Sequence, residues 1–135
     1  MILVETSAWV EYDRSSGSEV DRRLAMLVSE AGDIAVTEPI LMEVLAGARD
    51  DRESERLRRL LTSFRWIVAD AVADFEGAAQ VYRSCRSEGV TPRGLIDCMI
   101  VSIALRTDST VLSADRDFAR MAEVLPLRID AASAT

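Results

Sequence analysis

The feature that most limits what this chain can become is the run Leu95–Leu105, LIDCMIVSIAL, followed almost at once by STVLSADRDF from Ser109. The first run is apolar on nearly every side, which predicts a buried helix of about three turns rather than a surface helix with one apolar stripe. Asp97 is its one acid. It falls in the first turn, after Pro92 and Gly94, where the helix dipole favours negative charge. Its i+3 and i+4 neighbours are Ile100 and Val101, so an unpaired charge there would cost several kcal/mol, order of magnitude. Something must compensate it. Thr110–Ser113 then reads as a core strand, with Asp115 and Asp117 in the turn that follows. In open α/β sheets that edge is where ligands bind.

Strand and helix patterns alternate along the whole chain. Ile2–Val4 is a short buried strand ended by Glu5, with Thr6 or Ser7 offering a capping hydroxyl to a helix through Trp9 and Tyr12. Ser18 opens a helix with Val20, Leu24, Leu27 and Val28 on one face. Ile34–Thr37 is the second strand, closed by Thr37, Glu38 and Pro39 ahead of a helix that packs through Ile40, Leu41, Val44, Leu45 and Ala48. Glu43 borders that stripe. Asp50–Phe64 is an arginine-rich amphipathic helix, Trp66–Ala69 a third strand, and Val72–Glu88 a helix with Phe75, Ala78, Ala79, Tyr82 and Cys85 inward. Leu127–Ile129 is a last short strand, and Ala131–Thr135 is expected to fray. With no long linker or internal repeat, residues 1–135 read as a single α/β domain with a mainly parallel sheet.

Composition narrows the chemistry. The 135 residues contain no histidine and no lysine, which removes imidazole bases and lysine nucleophiles. The missing lysine also argues against a phosphoacceptor domain, whose known members use one. The net charge of −7 opposes a phosphate backbone at long range, unless some of the acids hold cations. Cys85 and Cys98 sit in apolar helical patterns and read as reduced core thiols, which together with the lack of a membrane span or basic leader predicts a soluble cytoplasmic protein.

Glu5 ends a strand, Asp115 follows one, Asp97 opens a buried helix and Glu43 borders an apolar face. Each alone would more often be a solvated or capping acid. If the two strand ends meet at a switch point with the two helices beside it, the four converge. Like charges about 4 Å apart repel by roughly 4 kcal/mol at an effective dielectric near 20, so such a cluster needs cations or shared protons. Oxygen ligands without histidine or cysteine suit Mg²⁺ or Mn²⁺, and the chemistry suited to such a site is phosphodiester hydrolysis. Arg14, Arg93 and Arg116 flank the acidic motifs and are expected to steer phosphates toward it.

The segments MILVETSAWVEY, TEPILMEVLAGAR, PRGLIDCMIVSIALR and STVLSADRDF resemble, in order and spacing, the PIN-domain ribonucleases, most closely the VapC toxins of type II toxin–antitoxin systems. The resemblance implies a three-layer α/β/α domain and an endoribonuclease dependent on Mg²⁺, or on Mn²⁺ as a substitute. RNA is the implied substrate, with transfer RNA among the expected classes. The implied partners are a VapB-like antitoxin and a second copy of the chain, giving a homodimer or a toxin–antitoxin hetero-oligomer. By position Glu43, Asp97 and Asp115 match the family's acidic metal ligands, Asp117 its accessory acid, and Thr6 and Ser113 its small hydroxyl residues. Glu5 departs from the family's usual Asp, and one extra carbon–carbon bond moves its carboxylate by roughly 1.5 Å. Two expectations follow: a working site with Glu5 among its ligands and catalytic acids, or an impaired module that acts mainly by binding its antitoxin.

Overall fold

The computed structural model describes residues 1–135. Short strands made mostly of apolar residues need partners beside them and cover on both faces, and the chain provides these with a five-stranded parallel sheet in the order β3-β2-β1-β4-β5. Strand β1 (Ile2–Val4) is central, pairing with β2 (Ile34–Thr37) through Leu3 and Ala35 and with β4 (Thr110–Leu112) through Leu3 and Val111. The outer strands are β3 (Arg65–Ile67) and β5 (Arg128–Ile129).

Helices α1 (Thr6–Asp13) and α2 (Glu19–Ser29) link β1 to β2, and α3 (Glu38–Ala46) and α4 (Asp51–Thr62) link β2 to β3. Helices α5 (Ala73–Ser87) and α6 (Leu95–Arg106) then carry the chain back across the sheet to β4, and α7 (Arg116–Ala122) leads to β5. The first connections step one way along the sheet and the later ones the other. Right-handed crossovers therefore put the two groups of helices on opposite faces, giving three layers. The mainly parallel α/β sheet read from the residues and the three-layer α/β/α fold implied by the resemblance both agree with this architecture. Strand order reverses at β1, so its carboxyl end is a switch point.

Helix α6 is the buried helix expected, with every residue from Cys98 to Ala104 inside, although Leu95 at its start is exposed. It packs mainly on α5, where the structure corrects the inward face read from sequence. Phe75 is 60% exposed and Ala79 is also outside, while Asp74, Ala78, Val81 and Cys85 face inward. The cause is polar. Asp74 is fully buried and accepts hydrogen bonds from Ser102 Oγ (3.1 Å), Arg106 Nε (3.1 Å) and Arg106 Nη2 (2.7 Å) on α6, and from its own loop at Asp70 N (2.8 Å). Burial alone would raise the Asp74 carboxyl, but the Arg106 guanidinium and these donors hold it below the usual range. Anchoring Asp74 inward turns Phe75 out.

Other differences are local. Strand β3 starts at Arg65 and stops at Ile67, short of the end read from sequence, where Ala69 N–H turns away to the Glu38 carboxylate, Oε2 at 3.0 Å. The helix α7 was not anticipated; its seven residues are too few for an apolar period to show. The carboxyl-terminal tail is tied down rather than frayed. Ser133 is buried, its Oγ accepts from Ser113 N (3.1 Å), and Ala134 N donates to Ser113 O (3.0 Å). No helix is long and apolar enough to cross a membrane.

Replacing Arg106 with Ala would leave Asp74 buried without its cation. An uncompensated buried charge of this kind costs roughly 2–4 kcal/mol, so the urea midpoint should fall accordingly. An unchanged midpoint would show that the pair does not hold α5 on α6.

Candidate active site

The β1 strand ends with Val4, and Glu5 turns the chain into α1 by capping it. Its extended backbone (φ −79°, ψ 160°) frees the helix amides, and its Oε2 accepts from Ser7 N at 3.1 Å. The cap is therefore Glu5 itself rather than the hydroxyl of Thr6 or Ser7. Ser7 Oγ also donates to Oε2, as does Ser113 Oγ from the end of β4 at 2.7 Å. Both hydroxyls are used twice, since Ser7 Oγ accepts from Ala114 N (2.8 Å) and Ser113 Oγ from Asp115 N (2.9 Å). The three bonds donated to Glu5, from Ser7 N, Ser7 Oγ and Ser113 Oγ, all fall on Oε2, and Glu5 is only 4% exposed. Burial pushes its carboxyl up, the serine donors pull it back, and the neighbouring Glu43 charge raises it further.

Glu43 reaches the same place from the sixth residue of α3, where Thr6 Oγ1 donates to its Oε1 at 2.6 Å. Asp97 arrives from the first turn of α6, behind Gly94 in an extended capping conformation. Carboxylate oxygens of Glu5, Glu43 and Asp97 all lie within 4.8 Å of one another. They line an open cavity of about 470 Å³ with Thr6, Ser7, Arg93 and Asp115. Burial, followed by the charges of Glu5, Glu43, Asp115 and Asp117, pushes the Asp97 carboxyl from 3.8 up to about 7.

The remaining acids sit beside the cluster and are otherwise engaged. Asp115 caps α7, its Oδ1 accepting from Asp117 N at 2.9 Å and pairing with the Arg93 guanidinium. Asp117 is 1% exposed, and its Oδ2 accepts from Arg93 N at 3.1 Å. Its buried Oδ1 has no hydrogen bond; Arg120 Nη1, at 3.5 Å, provides charge without a bond.

The structure thus brings Glu5, Glu43, Asp97, Thr6 and Ser113 together, with Asp115, Asp117 and Arg93 at one side. Arg116 is exposed on an adjoining depression with Ser7, Arg93, Asp117 and Arg120. Arg14 belongs elsewhere, in a groove of about 540 Å³ between α1, α3 and α4 that meets the acidic cavity only at Glu43. Sequence reading had Ser7 only as a possible cap and missed Arg120. The signals were there: Ser7 lies two residues after an acid at a strand end, and Arg120 lies one helical turn beyond Asp117.

A family model described as PIN domain matches residues 2–124. Over 129 residues, 95% of this chain and 96% of each relative, the sequence is 41% identical to the VapC ribonuclease Mb1587 of Mycobacterium bovis and to Ribonuclease VapC11 of Mycobacterium tuberculosis. Among solved structures, VapBC2 from Rickettsia felis bound to a promoter DNA fragment aligns with a TM-score of 0.74 at 16% identity, over 96% of this chain and 98% of that one. A toxin–antitoxin complex from Klebsiella pneumoniae aligns at 0.62 and 24% identity, over 96% and 100%. At these identities the structural likenesses establish the fold.

Because the folded protein holds the Asp97 proton more tightly than the unfolded chain does, its stability should fall as pH rises from about 4 to about 7. Above pH 7 in EDTA, Asp97→Asn should therefore be the more stable protein, by about 1–2 kcal/mol after allowance for solvent screening. Equal urea midpoints at pH 7.5 would show that the cluster carries no such repulsion.

Proposed function

Because this chain belongs to the PIN-domain family, we propose that it is a VapC-like endoribonuclease toxin that hydrolyses RNA phosphodiester bonds with a divalent cation and is neutralised by a VapB-like antitoxin. The observation that carries this is the convergence of Glu5, Glu43 and Asp97 oxygens within 4.8 Å at the carboxyl edge of β1. The relatives at 41% identity are VapC ribonucleases, and solved structures with this fold include VapBC assemblies.

The residues fit a cation. The donors are all carboxylate oxygens, two of the three acids have their position fixed by hydroxyl donors, and a further buried carboxylate oxygen, Asp117 Oδ1, lacks a hydrogen bond nearby. Hard donors of this kind select Mg²⁺, with Mn²⁺ as a substitute, over Zn²⁺. When bound, the cation supplies Lewis acidity to the phosphodiester and acidifies the attacking water. Glu5, Glu43 and Asp97 hold it in this reading, with Asp115 and Asp117 as accessory acids. Ser7 and Ser113 aim Glu5 by occupying Oε2, and Thr6 aims Glu43. Arg93, Arg116 and Arg120 offer a local positive rim to RNA phosphates in a chain of net charge −7, which transfer RNA would test first. Arg14 lines the neighbouring groove, which meets the cavity at Glu43, rather than this rim.

The extra methylene of Glu5 does not remove its carboxylate from the cluster, so the geometry favours the working site over the impaired module. The groove floored by Trp9, Val44 and Leu57 and edged by Arg14, Arg49 and Arg56 opens toward Glu43, and suits an amphipathic antitoxin segment. The reading includes assembly as a homodimer or a toxin–antitoxin hetero-oligomer, for which the exposed Val68, Val72 and Phe75 offer apolar surface.

The test is incubation of antitoxin-free protein with total RNA and Mg²⁺ or Mn²⁺, followed by sequencing of new ends. Discrete cuts are expected that vanish with EDTA, fall at least about 100-fold in Asp97→Asn and fall roughly 10-fold in Thr6→Ala. Cutting only by Glu5→Asp would instead establish the impaired module.

A further inference from the structure

We infer that Arg93 competes with a bound divalent cation for Asp115 and, once displaced, takes a phosphate of the RNA backbone. The inference rests on the reading of the acidic cavity as a cation-dependent ribonuclease site and adds a coupling between its two ligands.

Arg93 is fixed at one end and free at the other. Its backbone N–H is held by Asp117 Oδ2 at 3.1 Å, and Asp117 is itself buried in the first turn of α7. Its side chain is 67% exposed, and its guanidinium makes a single ion pair, with Asp115 Oδ1. That oxygen also accepts the Asp117 amide at 2.9 Å, so Asp115 has its place in the helix cap whether or not the arginine stays. Asp115 and Arg93 line the same cavity as Glu5, Glu43 and Asp97. A divalent cation there faces a guanidinium of the same sign across one shared carboxylate, and each weakens the hold of the other on Asp115.

The displaced guanidinium has a destination. Arg93 also lines the adjoining depression of about 600 Å³ with Arg116 and Arg120, where three guanidiniums outnumber the carboxylates of Asp115 and Asp117 in an otherwise acidic chain. Its planar fork matches two phosphate oxygens as well as it matches a carboxylate. A cation that releases Arg93 would thereby prepare the rim for RNA, and RNA that engages Arg93 would clear Asp115 for the cation.

Calorimetric titration of Mn²⁺ into the wild type, Arg93→Ala, Arg93→Lys, Asp115→Asn and the Arg93→Ala/Asp115→Asn double variant tests the competition. Arg93→Ala should bind Mn²⁺ about 3- to 10-fold more tightly and Arg93→Lys close to wild type, and in the Asp115→Asn background the gain should shrink below about twofold. In parallel, fluorescence anisotropy of a labelled single-stranded RNA in EDTA should show Arg93→Ala binding about 3- to 10-fold more weakly at low salt, with a salt slope smaller by about 0.7. Opposite effects on the two ligands separate this role from a structural one, since local unfolding would weaken both. Unchanged Mn²⁺ affinity in Arg93→Ala, a gain that persists undiminished without Asp115, or unchanged RNA affinity would each overturn the inference. A wild type that binds no Mn²⁺ at millimolar concentration would instead sink the cation reading beneath it.

Discussion

Mutual repulsion among Glu5, Glu43 and Asp97 is the constraint around which the rest of this structure is arranged. Each pair of charges at such separations repels by roughly 4 kcal/mol at an effective dielectric near 20, and the nearly buried Glu5 adds a desolvation cost. The fold offsets this with directed donors. Two serine hydroxyls and a helix amide converge on one oxygen of Glu5, and a threonine hydroxyl holds Glu43. Asp97 has no such donor, and it is the acid pushed up to about 7. The imbalance leaves the cluster short of positive charge, which a divalent cation would supply.

Topology explains why the acids can meet at all. With β1 between β2 and β4, the ends of the three central strands open at one edge, and the chain leaves them in two directions. That edge receives Glu5 from β1, Ser113 from just after β4 and Glu43 from the helix that follows β2. Asp97 comes from the opposite helical layer, so its position depends on how α6 lies. The helix is clamped toward its far end by the Asp74–Arg106 pair and approached through Arg93, whose amide is held by Asp117. A polar core contact remote from the acids thus helps to place one of them.

The sequence made the acids legible because each stood where a sheet edge would gather it: Glu5 and Asp115 beside strand ends, Asp97 alone in an apolar helix. It also showed the parallel sheet through its short apolar runs. What it hid was side-chain pairing at long range. Nothing local says that Asp74 will find Ser102 and Arg106, 28 and 32 residues away, so hydrophobicity favoured Phe75 as the inward residue. Nor could spacing reveal that Asp115 would cap α7 and hold Arg93. Arg14 was grouped with the other arginines by its nearness in sequence to Glu5, and the turn of α1 carries it into a different groove.

The central claim is that the three converging carboxylates form one cation site. The most direct measurement is anomalous diffraction from crystals soaked in Mn²⁺, collected at the manganese edge. The account predicts an anomalous peak within about 2.0–2.4 Å of oxygens from Glu5, Glu43 and Asp97. A peak bound only by Asp115 and Asp117, or no peak at the cluster at saturating Mn²⁺, would contradict it.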